Sequence, residues 1–235
     1  MPRTYNSPEH YHQIELMIQG AATQIVKHGD TAIDVGSNFL FHSTHLIDLV
    51  GANGKVLAFE PLIRLNEYSH EYIQQHNVTN LALHNIALSN FTGTSKFYEN
   101  TSSDGFSGLR KTQFEHNSLH TTYKELLVSV DQLDNFADHI HNLSFVKIDV
   151  EGNELNVLLG GEKVIDQYHP VIACEVCDYF LNIYEQSKSD LLSWMKSHEY
   201  SRLPVPVRLL SDLYIFVHNS KLDQADAIKF VLPKD

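Results

Sequence analysis

The first group of residues that could do chemistry is a glycine turn, Asp34-Val35-Gly36-Ser37-Asn38. It ends a short apolar run that begins at Thr31, and a helix is predicted shortly after it, over 43–50. Glycine lets a backbone approach a ligand closely, and the N–H groups at a helix start can bind a polar or anionic group. The segment therefore predicts a ligand site, although an ordinary tight turn between strand and helix has the same sequence character.

A carboxylate stands at the corresponding position after the next predicted strand. Glu60 directly follows the apolar run Lys55–Phe59, and Pro61 then restricts the turn. In open α/β sheets, ligands bind beyond the carboxyl ends of the strands, where an acid can accept both hydroxyls of a nucleotide ribose. Glu60 therefore predicts a ribose contact, although a solvated glutamate at a strand end explains it as well.

Two further carboxylates, Asp149 and Glu151, end a third apolar run within residues 145–154. Alternate residues of a strand share a face, so both acids would point into one pocket if the strand continued to Glu151. Such an acid can position a substrate hydroxyl or take its proton. The alternative is that one of them caps the helix predicted after Gly152. We favour Asp149 for the pocket and leave Glu151 open between the two roles.

The elements that must position these residues alternate between short β-rich runs and helical stretches. This alternation predicts a parallel sheet with crossover helices. The predicted helices are 7–28, 43–50, 62–76, 153–166 and 187–198. The predicted strands are 31–35, 55–59, 81–86, 94–98, 126–130, 143–150, 171–176, 205–210 and 213–217, the last two as a hairpin.

The length of 235 residues suits a single domain over 1–235, with 1–28 as an N-terminal helical cap and 29–180 as the ligand-binding core. Residues 100–122 form a long polar stretch without clear periodicity, which predicts a substrate loop. Its histidines, His116 and His120, have the near-neutral pKa that a general base needs, and His116 is our candidate. Solvated loop histidines are the simpler interpretation of both.

Three other patterns are given less weight. Cys174 and Cys177 have the spacing of a zinc or redox motif, but no second cysteine pair exists, so a structural role is favoured. His42 and His45 lie three residues apart near a helix start, without an apparent third ligand. No metal site is therefore predicted. Glu175 ends a strand beside Asp149 and could line the same pocket.

The bulk composition limits the partners. The formal charge of −12 disfavours a nucleic-acid partner, with the reservation that the 15 histidines would offset this charge in acid. No apolar run approaches the roughly 20 residues that cross a bilayer, and no signal-peptide core follows the N-terminus. The simplest expectation is a cytoplasmic protein without a membrane partner. The oligomeric state stays open, a homodimer being one alternative.

Taken in order, these segments resemble the FkbM family of methyltransferases. The resemblance covers about residues 29–180, and its most specific part is the run 147–154. The motifs shared with the family are Asp34-Val35-Gly36-Ser37-Asn38, Ala58-Phe59-Glu60-Pro61, Asn85-Ile86-Ala87-Leu88-Ser89 followed by Gly93, a loose match at 130–134, the run 147–154, Leu158-Leu159-Gly160-Gly161, and 170–175.

The resemblance implies a class I methyltransferase fold. This is a Rossmann-like α/β fold with a seven-stranded sheet, parallel except for one strand, and helices on both faces. The resemblance also implies S-adenosyl-L-methionine as the cofactor. The implied reaction is O-methylation of a hydroxyl on a small molecule, natural product or sugar, in which the methyl group passes from the sulfonium to the oxygen by an SN2 step.

The family motifs also imply roles for individual residues. Asp34 and Gly36 would hold the amino-acid part of the cofactor, and Glu60 would hold the ribose. The Ala87-Leu88 pair would lie by the adenine, and Asp149 would face the methyl donor and the acceptor. The predicted catalytic residues are therefore Asp149 and His116. The predicted cofactor-binding residues are Asp34, Gly36, Ser37, Asn38, Ser43, Glu60, Ala87, Leu88 and Asp149.

One position departs from the family pattern. Family members carry a second glycine where this chain has Leu40, and a leucine adopts positive φ only with strain. We favour an ordinary conformation with Leu40 directed into the core; otherwise cofactor affinity would suffer. A non-catalytic binding module is therefore one alternative function. An NAD-dependent oxidoreductase is another, but the turn lacks the G-x-G-x-x-G spacing of that class.

Overall fold

The fold is described from a computed structural model, in residues 8–102, 105–112, 122–204, 212–225 and 228. The helices are α1 (Pro8–Ile25), α2 (Phe41–Val50), α3 (Ile63–Gln75), α4 (Glu154–Gly160), α5 (Glu162–Tyr168), α6 (Asp178–Ile183), α7 (Lys188–Ser197) and α8 (Leu222–Ala225). The strands are β1 (Thr31–Val35), β2 (Lys55–Phe59), β3 (Leu81–His84), β4 (Ala87–Leu88), β5 (Gly93–Asn100), β6 (Tyr123–Asp131), β7 (Leu143–Ile148), β8 (Val171–Glu175), β9 (Tyr200–Arg202) and β10 (Leu213–His218). Short 3₁₀ helices occupy Leu133–His139 and Asn219–Lys221.

The main sheet has seven strands in the order β3-β2-β1-β7-β8-β10-β9. Neighbouring strands are parallel from β3 to β8, and β10 is antiparallel to both of its neighbours. The predicted sheet, parallel except for one strand, is confirmed. The strand order runs outward in both directions from the β1–β7 pair, and such a switch point is where open α/β sheets bind ligands.

Both faces of this sheet are covered, which explains why its strands are apolar without alternation. All five residues of β1 are buried, and successive residues point to opposite faces. Ile33 and Val146 belong to a core shared with α4, α5 and α7. Ala32 and Phe145 belong to the other core, shared with α1 and α2. The parallel strands are thus buried on two sides, as in other α/β folds.

A second, three-stranded sheet in the order β4-β6-β5 stands beside the main one. Its strands β5 and β6 are antiparallel from Gly93 opposite Val130 to Asn100 opposite Tyr123. They are longer than the predicted strands 94–98 and 126–130. The inner face of this sheet packs Phe97, Val128 and Val130 against residues that include Leu65 of α3 and Ala87 of β4.

The helix predicted over 153–166 is two helices, and this part of the prediction was wrong. The helix is interrupted at Gly161, whose N–H donates to the carbonyl of Leu158 at 3.1 Å. The reason is tertiary, because other segments touch the backbone at the break. A Cβ added to Gly160 would lie 2.0 Å from the carbonyl oxygen of Ser89, and one on Gly161 would lie 2.8 Å from the side chain of Leu133.

Several predicted elements fall partly outside the described residues. The predicted strand 205–210 lies outside them, and β10 pairs with β8 and β9 instead. The predicted loop 100–122 is described at 100–102, 105–112 and 122, so His116 and His120 also lie outside the described residues. Within the described part of the chain, no helix is both long enough and apolar enough to cross a membrane.

Candidate functional site

A cavity of about 410 Å³ lies where β1, β2 and β7 end. Its size is within the range of small-molecule and cofactor sites. Asp34 and Ser43 stand behind its wall, and His116 is outside the described residues. The predicted site residues in the wall are Gly36, Ser37, Asn38, Glu60, Ala87, Leu88 and Asp149.

Asp34 and Ser43 hold a buried lysine in place. The Ser43 hydroxyl donates to Asp34 Oδ2 at 2.6 Å, and Asp34 is fully buried. The ammonium of Lys147 lies 3.4 Å from Asp34 Oδ1 and 3.6 Å from Asp149 Oδ2. It also donates to the carbonyl of Gly36 at 2.9 Å. Burial alone would lower the pKa of Lys147, but the carboxylates of Asp34, Asp149 and Glu15 together outweigh burial and raise it, so the ammonium stays charged.

The glycine turn is fastened to the neighbouring strand ends. The N–H groups of Gly36 and Ser37 both donate to the carbonyl of Phe59, at 3.0 and 3.1 Å. Gly36 has φ of +78°, and a Cβ there would lie 2.0 Å from the carbonyl oxygen of Asp149. The turn therefore requires glycine for two reasons, the left-handed backbone and the contact with the chain after β7.

Leu40 adopts the left-handed conformation, with φ 63° and ψ 21°, so the predicted ordinary conformation was wrong. The predicted direction of its side chain was right, because Leu40 is fully buried and is not part of the cavity wall. Asn38, two residues earlier, also has positive φ. The chain turns sharply into α2 here, and the burial of Leu40 offsets the backbone strain at this position.

Glu60 is buried in the cavity wall. Its Oε1 accepts the N–H of Leu62 at 2.9 Å, and its Oε2 accepts the N–H of Asn38 at 3.1 Å. Burial raises the pKa of Glu60 to about 7, and these two hydrogen bonds only partly oppose the effect. A ligand that donates hydrogen bonds to this carboxylate would favour its charged form.

The three acids after β7 have different roles. Asp149 has a side chain that is 39% exposed and faces the cavity. Glu151 has positive φ, and its Oε1 accepts the N–H of Phe106 at 3.2 Å. Glu154 closes the turn, because its Oε1 accepts the N–H groups of Val150 and Gly152 at 3.0 and 3.1 Å. The alternative in which Asp149 or Glu151 caps the next helix was therefore wrong.

Glu151 reaches the cavity without an extension of the strand. β7 ends at Ile148, two residues before the predicted end, and the left-handed turn at Glu151 directs its side chain to the cavity wall. Burial raises its pKa well above the usual value, with further contributions from Asp149 and Glu154. Glu175 ends β8 as predicted but is not part of the wall, and burial together with Glu151 raises its pKa as well.

Part of the predicted substrate loop covers the cavity. Residues 105–109 belong to its wall, and Gly108 forms a β-bridge with Tyr98 of β5. The N–H of Arg110 donates to the hydroxyl of Tyr184 at 3.2 Å. Together with the bond from Phe106 to Glu151, these contacts attach the segment to both sides of the opening.

Comparison with known proteins identifies the family of this chain. The family profile described as "Methyltransferase FkbM domain" matches residues 34–202. The chain belongs to the FkbM methyltransferase family. This confirms the predicted class of enzyme, with S-adenosyl-L-methionine as its cofactor. No protein with a curated description matches the sequence.

Solved structures similar to this FkbM chain share its fold. One is methyltransferase FkbM from Methylobacillus flagellatus KT, with 18% identity and a TM-score of 0.51, where the match covers 81% of this chain and 44% of that one. This chain thus spans less than half of that protein. Another is Aeropyrum pernix fibrillarin in complex with natively bound S-adenosyl-L-methionine, with 9% identity, a TM-score of 0.51, and 88% and 74% coverage. The predicted class I fold is confirmed.

The residues of this FkbM chain fit the cofactor of the family. Ser37 is 3% exposed, and its hydroxyl has no hydrogen-bond partner among the residues that the structure describes. A buried hydroxyl normally has a partner, so a ligand in the cavity would supply one. Gly36 leaves the backbone open to close approach, and Glu60 offers the carboxylate for a ribose. Leu40 does not obstruct the cavity, since it points away from it.

Sequence reasoning missed two polar groups of the site. Lys147 could have been noticed, because a lysine within an apolar strand is buried only when it is paired. His42 was discounted, yet its imidazole lies in the cavity wall and its Nε2 pairs with Glu15 of α1. The sequence contains no local signal for this pair, since the two residues are on different helices.

The other discounted residues lie away from the cavity wall. His45 contacts Thr23 and the carbonyl of Gln19 on α1. Cys174 and Cys177 are free thiols, the first of them buried. Within the described residues, the one group of side chains close enough to share a metal ion is Glu162, Asp166 and His198, which is not in the cavity wall.

Proposed function

We propose that this chain is an S-adenosylmethionine-dependent O-methyltransferase that acts on a hydroxyl of a small molecule, natural product or sugar. The observation that carries the proposal is the position of Asp149. Its partly exposed carboxylate borders the cavity and is held 3.6 Å from the ammonium of Lys147. A positioned carboxylate of this kind can accept the proton of a hydroxyl during transfer.

The cofactor supplies an electrophilic methyl group on a sulfonium sulfur. Support for the orientation of its ribose comes from Glu60, whose carboxylate is fixed by two backbone N–H groups. Ala87 and Leu88 offer an apolar surface for the adenine. We assign the amino-acid part to the glycine turn, with Ser37 and Asn38 in contact, while Asp34 and Ser43 act from behind the wall by holding Lys147.

In the proposed reaction, the acceptor oxygen bonds to the methyl carbon while the sulfur–carbon bond breaks. The hydroxyl proton passes to Asp149, and Lys147 keeps that carboxylate in position. Alignment of the two reactants in the cavity would supply on the order of 7–11 kcal/mol of the barrier. His116 stays a second candidate for the proton, to be tested by substitution.

The first experiment is calorimetry with S-adenosylhomocysteine, the product form of the cofactor. We expect saturable binding that Glu60→Ala weakens. Absence of heat at high micromolar protein would reject the proposal. The second experiment incubates the protein and S-adenosylmethionine with a panel of sugars and phenols and detects methylated products by mass spectrometry. Asp149→Asn should abolish turnover while S-adenosylhomocysteine still binds. Binding without any turnover in the unmodified protein would instead favour a non-catalytic module.

We also propose that the acceptor is a small molecule and that the reaction takes place in the cytoplasm. The acidic composition, with a formal charge of −12, supports a small acceptor rather than a nucleic acid, because phosphate backbones are repelled. A cytoplasmic location without membrane attachment is the expectation for this composition. Light scattering would determine the oligomeric state separately, and a homodimer is one possible outcome.

A further inference from the structure

His42 lies at the start of α2 and belongs to the cavity wall. The residue is 6% exposed, and its Nε2 is paired with Glu15. Its Nδ1 is buried and has no hydrogen-bond partner in the described part of the chain. A buried imidazole nitrogen of this kind is normally satisfied, so a partner from a ligand is expected.

Glu15 fixes the orientation of this imidazole. It lies on α1, and with Gln19 and Thr23 it forms the polar stripe that contacts α2. Burial would raise the pKa of Glu15, but the hydrogen bond to His42, together with the electrostatic attraction of His42 and Lys147, outweighs burial and lowers it. The Glu15 carboxylate can accept the proton on Nε2, and in the doubly protonated imidazole Nδ1 is a second donor.

The charges around the cavity indicate what this N–H would bind. Among the described residues of the wall, Lys147 and His42 are the side chains that can be positive. The Lys147 ammonium is already held by the Gly36 carbonyl, Asp34 and Asp149. An anionic group of the ligand therefore finds at His42 a ring nitrogen, Nδ1, that is not already used by another described residue. His42 lies in the first turn of α2, where the helix dipole adds to the attraction.

We propose that His42, oriented by Glu15, binds the α-carboxylate of the cofactor through Nδ1. This inference rests on the proposed function, because it assumes that S-adenosylmethionine occupies the cavity. His42 is then a binding residue and Glu15 a positioning residue. The ammonium of the cofactor's amino-acid part would then pair with carboxylates of the cavity wall. The two charged groups of the cofactor would thus have separate partners.

The test compares two ligands that differ in the amino-acid part. S-adenosylhomocysteine carries the carboxylate, whereas 5′-methylthioadenosine has the same adenosine and thioether without it. We expect His42→Phe to weaken S-adenosylhomocysteine by about tenfold or more, the usual effect of losing a hydrogen bond to a charged group. Affinity for 5′-methylthioadenosine should stay within about twofold, because the lost contact involves only the carboxylate.

Further variants keep the test decisive. His42→Asn retains an N–H near the position of Nδ1 and should lose less affinity than His42→Phe. Glu15→Gln, on a half-exposed side chain, should weaken S-adenosylhomocysteine selectively even if His42→Phe fails to fold. His45→Phe is the matched control, because His45 is also on α2 but outside the cavity wall, and it should leave both affinities unchanged.

The outcomes separate this inference from the proposed function. If the unmodified protein binds neither ligand, the proposed function fails. If it binds S-adenosylhomocysteine and the His42 and Glu15 variants lose both ligands equally, or lose neither, the cofactor site stands and the role of His42 is rejected. A loss of turnover with unchanged S-adenosylhomocysteine affinity also rejects it, since it would place His42 on the acceptor.

Discussion

The backbone N–H of Asn38 donates a hydrogen bond to the carboxylate of Glu60 across 3.1 Å. This bond joins the glycine turn after β1 to the acid after β2. The two predicted cofactor contacts are therefore parts of one cavity wall. A substitution at either residue should alter the position of the other. The same carboxylate is buried, which makes its ionisation measurable through ligand binding.

Binding of S-adenosylhomocysteine should depend on pH through Glu60. Burial raises the pKa of this carboxyl to about 7, and ribose hydroxyls that donate to it would favour the charged form. Affinity should therefore increase as the pH rises from about 5 to about 7 and level off above that. Calorimetry across this range checks the prediction. Glu60→Gln is the control and should lose this pH dependence. If Glu60→Gln kept the full pH dependence, the prediction would be contradicted.

Gly36→Ala should destabilise the fold by about 2–4 kcal/mol, because the new Cβ meets the Asp149 carbonyl and φ is positive. Gly20→Ala is the matched control. Gly20 lies in α1 with nothing within 4 Å of an added Cβ, so alanine there should be neutral or stabilise by up to about 1 kcal/mol. Urea unfolding of the two variants provides the comparison, and equal midpoints would refute the predicted contact.

Lys147→Met should destabilise the protein by about 3–5 kcal/mol, since it leaves the buried Asp34 carboxylate without its cation. Lys96→Met is the control, because the Lys96–Glu125 ion pair is exposed and contributes little. Thermal unfolding followed by circular dichroism distinguishes the two. A Lys147 variant as stable as the control would contradict the predicted importance of this buried ion pair.

Leu40→Gly tests two opposing effects at one position. Glycine removes left-handed strain of about 1–2 kcal/mol, whereas loss of the buried side chain costs about 2–5 kcal/mol. We expect a net loss of stability, measured by urea unfolding. Affinity for S-adenosylhomocysteine should be unchanged, because Leu40 points away from the cavity. A gain in affinity would show that the leucine distorts the turn.

Glu151→Gln should stabilise the protein at alkaline pH but not in acid. Burial and the nearby Asp149 and Glu154 raise the pKa of Glu151 in the folded state. As the pH rises past the ordinary glutamate value, the unfolded chain ionises first and the stability of the unmodified protein falls. The difference in melting temperature should therefore grow with pH. Glu125→Gln, on an exposed glutamate, is the control, and a constant difference would contradict the effect.

The sequence was sufficient for the elements with strong local patterns. The apolar runs of β1 and β2 match the predicted bounds because strands buried on both faces leave little choice of residue. Gly36 and Glu60 lie in the cavity wall, as their positions at strand ends predicted, because the apolar run before each residue reveals where its strand ends. The ordered motifs around them predicted the family.

The tertiary structure decided whatever depends on contacts between distant segments. Ser89 and Leu133, which are distant in the sequence, approach Gly160 and Gly161 where the predicted helix is interrupted. The pairing of Glu15 with His42, and of Lys147 with Asp34, joins residues from separate elements, so no spacing in the sequence reports it.

At Leu40, the sequence determined one property and the tertiary structure decided another. The sequence by itself determined that a buried leucine replaces a glycine in the turn. Only the tertiary structure decided that the backbone there is left-handed, because burial of the side chain compensates a strain that local preferences would avoid.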